Sequence, residues 1–352
     1  MQQVRFPRDE QQHNHIIEWW YWNGHLVDGR GNRYSYMNCL FRADIKRVNF
    51  PFLKGVQRLP FRTVFFSHSL LTDIGKKKFY PRIEYVATVS KDSFTRPLLY
   101  VNYADPIIVD GYVNKVMEEP ELFTYRIKNE DIDLNLTSKK PPLLEGGKGY
   151  VNLVGDRSTY YYSLTDLRTA GHIRVGKKLI PVIGKSWMDH QWANIPYEKN
   201  KWNWFSFQLD NNIEVMAVEY GRHGKKTKLA SVCYKSGKQL HSDAVRITPV
   251  GRAWVSPKTK ARYPLEWRVE LPAIGIELTA KAPVKQQEML YGTLNYWEGP
   301  LDVTGTVEGT SVSGLGFCEL VGYESEFDNM KFIRTSLTEL IRSGYDYLVH
   351  MR

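Results

Sequence analysis

The stretch WYWNGHLVDG, Trp20 to Gly29, places Trp20, Trp22, Gly24 and Leu26 at every second position and then runs into a turn. Alternation of this kind belongs to a β-strand, whose side chains point to opposite faces in turn. The following Asp28-Gly29-Arg30-Gly31-Asn32 carries the residues that tight turns favour. A second stretch, WNWFSFQLDN, Trp202 to Asn211, has the same form 182 residues later, so that Trp20 matches Trp202, Trp22 matches Trp204 and Asp28 matches Asp210. That offset is about half of the 352 residues, as a duplicated β unit would give. The spacing predicts a boundary near Asn194 to Asn200, around Pro196, and therefore units over 1–195 and 196–352.

Period-two alternation recurs at Thr63 to Leu70, Tyr150 to Val154, Ser158 to Ser163 and Trp202 to Leu209. Turn residues separate these runs, so the chain reads as all-β, built of antiparallel barrels or sandwiches. One segment departs from the pattern. Met330, Ile333, Leu337, Leu340 and Ile341 fall at helical spacing between Asn329 and Gly344, which predicts a C-terminal amphipathic helix over 329–343. Lys46 to Arg62 mixes basic residues with Phe50, Phe52, Leu53, Leu59 and Phe61, and Pro51 and Pro60 interrupt any regular element. It reads as a loop over a barrel mouth, or as a surface for peripheral contact with an anionic membrane.

Composition narrows the classes. Aromatic residues make up 13% of the chain, which suits strands and pockets for apolar ligands. The net charge of +10 favours anionic surfaces, but no nucleic-acid-binding motif accompanies it, so no nucleic-acid partner is expected. Cys39, Cys233 and Cys318 are odd in number and far apart, which predicts reduced thiols. His13 and His15 have no evident third ligand, and no metal or other cofactor is expected. The polar N-terminus and the lack of a long apolar run make the chain, as given, a soluble or peripheral protein of the cytoplasm. Export with removal of a leader stays open.

Five further stretches then fall in order: Phe6-Pro7-Arg8-Asp9 with EWWYWNGHL (Glu18 to Leu26), YYYSLTDLRTAGHI (Tyr160 to Ile173), GKSWMDHQW (Gly184 to Trp192), YWEGPLDVTG (Tyr296 to Gly305) and GLGFCELVGY (Gly314 to Tyr323). Together they resemble the AttH-like branch of the carotenoid 1,2-hydratase (hydroxyneurosporene synthase) family. Lys46 to Arg62 has no counterpart in that resemblance. The resemblance implies two lipocalin-like β-barrels in tandem. It also implies hydration of the terminal double bond of an acyclic carotenoid, or related hydration and cyclisation of prenylated phenolics and polyenes.

Such chemistry needs an acid able to protonate a C=C bond, a shelter for the resulting cation, and a positioned water. An apolar pocket keeps a carboxylic acid protonated, and aromatic faces stabilise a cation. GKSWMDHQW offers Asp189 as acid, His190 as base or as the group that holds the carboxylate, and Trp187 and Trp192 as cation wall. Alternation puts Trp187 and Asp189 on one face and Met188, His190 and Trp192 on the other, so Asp189 and His190 share a pocket only if the strand bends. His190 and Trp192 match the hydratase pattern, which also implies a carboxylate on a following strand, for which Glu219 is the candidate. Trp20, Trp22, Trp202, Trp204 and His68 complete the expected substrate contacts. Glu18 and His25 read as barrel-interior or end-closing residues, and Glu298 and Glu319 as hydrogen-bonded turn or strand anchors, with the lining of a ligand site as the alternative. Two readings follow. One is a cofactor-independent hydratase, isomerase or cyclase acting on an isoprenoid or other long apolar substrate. The other is a non-catalytic lipocalin-like carrier of a lipid in the cell envelope, with His190 bonded away from a wholly apolar cavity.

Overall fold

A computed structural model describes residues 3–48, 62–89, 93–95, 99–104, 113–118, 121–155, 157–195, 200–290 and 295–323. The helix expected over 329–343 and most of the Lys46 to Arg62 loop lie outside the described residues.

The first sheet uses β1 (Ile17–Asp28), β2 (Arg33–Asp44), β3 (Thr63–Asp73), β4 (Lys78–Val89), β5 (Tyr100–Ala104), β6 (Val113–Glu118), β7 (Thr124–Lys128), β8 (Ile132–Ser138), β9 (Leu143–Leu144), β10 (Tyr150–Asn152), β11 (Ser158–Val175) and β12 (Lys178–Ala193). Neighbours pair antiparallel from β1 through β8. β11 pairs with both β12 and β8, and β12 returns to β1, so ten of these strands form a closed ring. The second sheet uses β13 (Lys201–Leu209), β14 (Glu214–Arg222), β15 (Lys225–Cys233), β16 (Gln239–Ser242), β17 (Arg246–Pro249), β20 (Glu266–Leu271), β21 (Ile276–Lys281), β22 (Glu288–Met289), β23 (Tyr296–Val307) and β24 (Thr310–Val321), while β18 (Trp254–Val255) and β19 (Arg262–Tyr263) pair apart. This sheet is open, with β16 and β17 at its edges. In both sheets the first strand lies between the last strand and the second, as β1 does between β12 and β2 and β13 between β24 and β14. The all-β, lipocalin-like reading therefore holds.

Three apolar layers follow from the alternation. Trp20, Trp22, Leu26, Met188 and Trp192 fill the ring. Phe205, Phe207, Val215 and Trp267 line the far face of the second sheet. Between the sheets, Tyr21, Met37, Trp187, Trp204, Tyr296 and Phe317 form a seam. The sequence repeat is consequently one residue out of phase. Trp20 and Trp22 point into the ring, whereas Trp202 and Trp204 point into the seam; the β1 residues in their phase are Trp19 and Tyr21. A one-residue slip exchanges the faces of a strand, which is why two copies matched on tryptophans place them in different layers. The three cysteines are free and buried.

The N-terminal segment closes the ring at one end. Glu10 is fully buried there, its carboxylate accepting from the Tyr125 and Tyr162 hydroxyls and its carbonyl from the Trp20 indole. The two glycines of the opening stretch serve different ends. A methyl on Gly24 would sit 2.4 Å from Ser186 Oγ and 2.6 Å from the Tyr36 ring, whereas a methyl on Gly29 meets nothing within 4 Å. Gly24→Ala is expected to lower stability by about 1–3 kcal/mol through overpacking. Gly29→Ala should stay within about 0.5 kcal/mol of the parent, as exposed substitutions do. Urea midpoints of the two variants check this.

Candidate active site in the seam

The seam is not fully packed. A cavity of about 340 Å³ lies in it, walled from the ring by Trp19, Tyr21, Cys39, His68, Tyr161 and Asp189, and from the second sheet by Trp202, Trp204, Tyr296, Glu298 and Glu319. These are the outward residues of β1, β2, β3, β11 and β12, and one face of β13, β23 and β24. The walls are aromatic and aliphatic, but three carboxyl groups face in.

Each carboxyl is held differently. Asp189 accepts from Ser163 Oγ (2.6 Å), the Trp187 indole (2.7 Å) and the Tyr161 hydroxyl (2.8 Å). Tyr161 accepts in turn from the Trp204 indole of the other sheet, at 2.9 Å. Glu319 accepts from the Trp202 indole at 3.0 Å. Glu298 Oε1 accepts from the Tyr21 hydroxyl at 2.8 Å, while Oε2 has no partner among the described residues. Glu298 and Glu319 stand directly opposite one another on β23 and β24, so their side chains start as cross-strand neighbours. Two carboxylates so close in an apolar layer cannot both ionise cheaply.

Burial dominates the titration of all three. It raises Asp189 to about 6 against the pull of its three donors. It raises Glu319 to about 7. Burial, with Glu319 adding repulsion, pushes Glu298 well above the ordinary range. Glu298 is therefore a neutral acid at neutral pH, fully buried, and its Oε2 has no partner among the described residues. His68, whose Nδ1 lies 2.7 Å from the Tyr296 hydroxyl, is lowered by burial to about 3 and is neutral. The site thus combines a protonated acid, a second carboxyl poised near neutrality, a hydrogen-bonded third, and indole faces.

A family model described as AttH-like matches residues 1–323. The chain belongs to the AttH-like family. Dehydratase asqC of Emericella nidulans is 26% identical over 206 residues, which cover 55% of this chain and 58% of that protein, so the match spans little more than half of the curated relative. An AttH protein of Nitrosomonas europaea has a TM-score of 0.71 at 25% identity, covering 92% of this chain and 98% of that one. Kievitone hydratase of Nectria haematococca has a TM-score of 0.69 over 91% of this chain and 93% of that one; at 17% identity it shows the shared fold.

In this AttH-like chain the residues singled out from sequence divide between two faces. Asp189, Trp202, Trp204 and His68 line the cavity. Trp187 shares their layer, fully buried, and donates to Asp189. His190, Trp192, Trp20 and Trp22 point the other way, into the ring. His190 lies 2.9 Å from Glu18 Oε1 and 3.2 Å from the Tyr162 hydroxyl, and burial lowers it to about 4. The expected meeting of His190 with a cavity carboxylate does not occur, because β12 runs straight enough to keep its alternation. Glu219 is also displaced. Its neighbours Val218 and Tyr220 face the cavity, while Glu219 turns away to Lys226 (2.8 Å) and Lys228 (3.3 Å). Glu18 is interior as expected, but His25 lies in the seam, its Nε2 2.9 Å from the Gly316 carbonyl.

His13 does not pair with His15 as a ligand set. It meets Glu18 and His190 instead, the three donor atoms lying within 4.8 Å of one another. His13 Nδ1 and His190 Nε2 both approach Glu18 Oε1, at 2.7 and 2.9 Å, which is hydrogen-bond geometry and accounts for the cluster. Glu298 and Glu319 were the residues that sequence reading undervalued. The signal was present in the two-residue turn Glu308-Gly309: counting nine residues outward along both strands brings Glu298 opposite Glu319.

Two stability results follow from this division. His190→Ala leaves Glu18 to the backbone N–H and ring of His13 and opens a cavity beside it, and should cost about 2–4 kcal/mol. Glu298→Gln keeps the shape of a neutral acid and should cost less than about 1 kcal/mol. Denaturant unfolding of both variants tests it. The pH dependence has a definite sign. A carboxyl raised in the folded state contributes stability that is present below its unfolded pKa and lost as pH rises through the folded one. Asp189 and Glu319, at about 6 and about 7, therefore weaken the fold between about pH 4 and pH 7 as pH rises. His25, His68 and His190, lowered to about 4, 3 and 4, cost stability as pH falls below about 6.5. Glu319→Gln should remove part of the decline that accompanies a rise from about pH 4.5 to pH 7, and leave the histidine-driven loss at lower pH in place, in a series of urea midpoints.

Proposed function

We propose that the chain is a hydro-lyase-type enzyme, adding water to or removing it from an isoprenoid or similar apolar olefin held in the seam cavity. The observation that carries this reading is Glu298, a neutral buried acid, one oxygen of which has no partner among the described residues, beside a second carboxyl in an aromatic cavity. In the hydration direction the Glu298 O–H bond breaks as its proton goes to the olefin carbon. The tertiary cation so formed lies against the faces of Trp19, Trp202 and Trp204, whose quadrupoles lower its energy. Water then attacks the cation, the proton it sheds passes to Glu319 or Asp189, and that proton returns to the Glu298 carboxylate before the next turnover. Dehydration runs the same steps backward. No step draws on a cofactor.

Family membership and the relatives named as a dehydratase and a hydratase support this class of reaction. The cavity's size, near the lower end of the roughly 300–1,000 Å³ usual for ligand sites, suits a prenyl terminus better than a whole carotenoid chain. The carrier reading fits less well, because a passive lipid site has no use for three desolvated carboxyls, each costly to bury.

The direct test incubates the protein with short prenylated olefins in heavy-oxygen water and reads label in the alcohol by mass spectrometry. Glu298→Gln should lower turnover by about 10²–10⁴-fold, the usual weight of a general acid. Trp202→Leu should lower it while leaving the fold intact. Labelled product formed as fast by Glu298→Gln as by the parent would remove Glu298 from the reaction.

A further inference from the structure

An antiparallel sheet with one solvated face normally sends polar side chains outward. The hairpin of β11 and β12 departs from this beyond Ser186, whose carbonyl accepts from Gln208 of the second sheet at 3.0 Å. Its outward cross-strand pairs are Arg168 with Lys185, Ala170 with Ile183 and Arg174 with Leu179, and all six residues are exposed. Leu179 is 56% exposed and Ile183 64%. Single apolar residues scattered over a surface need no explanation, but these two are not scattered. They share one face of one strand, about 13 Å apart, with the exposed Pro181 between them. Among the described residues the one other large apolar side chain so exposed is Val255, on the separate β18.

Cations frame the two aliphatics. Arg168 and Lys185 stand directly opposite one another, and like charges so placed cost stability. Lys185 reaches Asp166 at 3.4 Å. Among the described residues Arg168, Lys177 and Lys178 have no acidic partner, and Arg174 donates to the Glu130 carbonyl. The acids of the neighbouring strands are engaged: Asp133 by Arg126 and Lys128, and Glu130 and Asp131 by Arg82. Beside Arg168 and Lys185 lies a cleft of about 520 Å³, lined also by Arg33, Ile183 and, from the second sheet, Leu315. It shares no lining residue with the seam cavity.

The geometry points to a docking surface for an anionic membrane on the outward face of this hairpin. A lipid phosphate enters the cleft between Arg168 and Lys185, Leu179 and Ile183 reach the acyl boundary, and Lys177 and Lys178 at the turn meet the surrounding headgroups. Each half of the surface suits a bilayer. Unpaired cations are drawn to anionic lipid, each worth about 5-fold in partitioning, and the attraction fades with salt. Apolar side chains add a contribution that salt does not screen. A soluble anion fits less well, because it would fill the cleft and leave Leu179, outside the cleft lining, in water. The docking stands apart from the hydration reading, although a substrate dissolved in the bilayer would give it a use.

The test is flotation of the full-length protein with phosphatidylcholine vesicles, with and without phosphatidylglycerol. The parent should bind only the anionic vesicles and release as salt rises. Arg168→Gln with Lys185→Gln should weaken binding by about 25-fold. Leu179→Ser with Ile183→Ser should weaken it by at least about 10-fold. All four positions are exposed, so urea midpoints should stay near the parent's. An environment-sensitive dye on Ile183→Cys should shift to the blue on anionic vesicles, and the same dye on Val255→Cys should not; the native cysteines are buried and leave the labels specific. Failure of the parent to bind anionic vesicles overturns the docking. So does binding that survives both double variants, as contact through Lys46 to Arg62 would allow. Saturable binding of dodecyl phosphate below its micelle concentration, with no vesicle binding, would assign the cleft to a soluble ligand and overturn it as well.

Discussion

Everything in the site depends on the alternation of β12. Asp189 and His190 are consecutive, and a strand that keeps its pleat must send them to opposite faces. Gly184 shows how tightly that pleat is fixed at its start, for a methyl there would lie 1.9 Å from the His25 carbonyl of β1. Two buried polar systems therefore sit back to back across a single strand. Inside the ring, His190, Glu18 and His13 satisfy one another and hold the N-terminal segment in place. Outside it, Asp189 gathers donors from Ser163, Trp187 and Tyr161 and faces the seam. The first system is closed, with its charges paired. The second is open to a cavity and carries more carboxyls than cations.

That asymmetry decides which face can do chemistry. A buried ion pair with satisfied hydrogen bonds specifies structure, and removing a partner mainly costs stability. A buried carboxyl without a cation keeps its proton and becomes an acid of useful strength. Glu18 exemplifies the first case: burial opposes its charge, but hydrogen bonds from His13 and His190 outweigh burial and lower its pKa. Glu298 exemplifies the second, with only a tyrosine hydroxyl to hold it among the described residues. The seam also ties the sheets together, since Tyr21 with Glu298, Tyr161 with Trp204, and His68 with Tyr296 each join one sheet to the other. Any shift between the sheets thus alters the acid's surroundings, which makes docking of the sheets part of the geometry of the proposed site.

The fold was legible because alternation and turn residues are local properties, and the ring strands carry them plainly. The phase of the repeat was not, since tryptophans at matched positions look alike whether they fill a barrel or a seam. The site was half legible. Asp189, Trp202, Trp204 and His68 could be named from the strands they lie on, and the opposition of Asp189 to His190 follows from parity alone. What misled was the choice between faces. A histidine beside tryptophans reads as chemistry, yet whether its partners are spent depends on Glu18, which stands 172 residues away in the chain. Glu298 and Glu319 looked like anchors because each is ordinary in its own strand; only their pairing across the Glu308-Gly309 hairpin makes them a site.

The same pairing bears on the direction of the proposed reaction. Addition and loss of water pass through one cation, so an acid and a base that serve one direction serve the other with roles exchanged. Burial and the neighbouring Glu319 push Glu298 well above the ordinary carboxyl range, while Glu319 sits near neutrality at about 7. Protonation of an olefin starts from Glu298 as it normally stands, whereas dehydration needs a protonated group beside the departing hydroxyl and an ionised one beside the carbon that loses hydrogen. A substrate bound with its double bond toward Glu298 and away from Glu319 would be hydrated; the same skeleton bound as an alcohol, in the reverse orientation, would be dehydrated. Orientation in the seam, rather than a different set of residues, is then enough to separate a hydratase from a dehydratase on one scaffold.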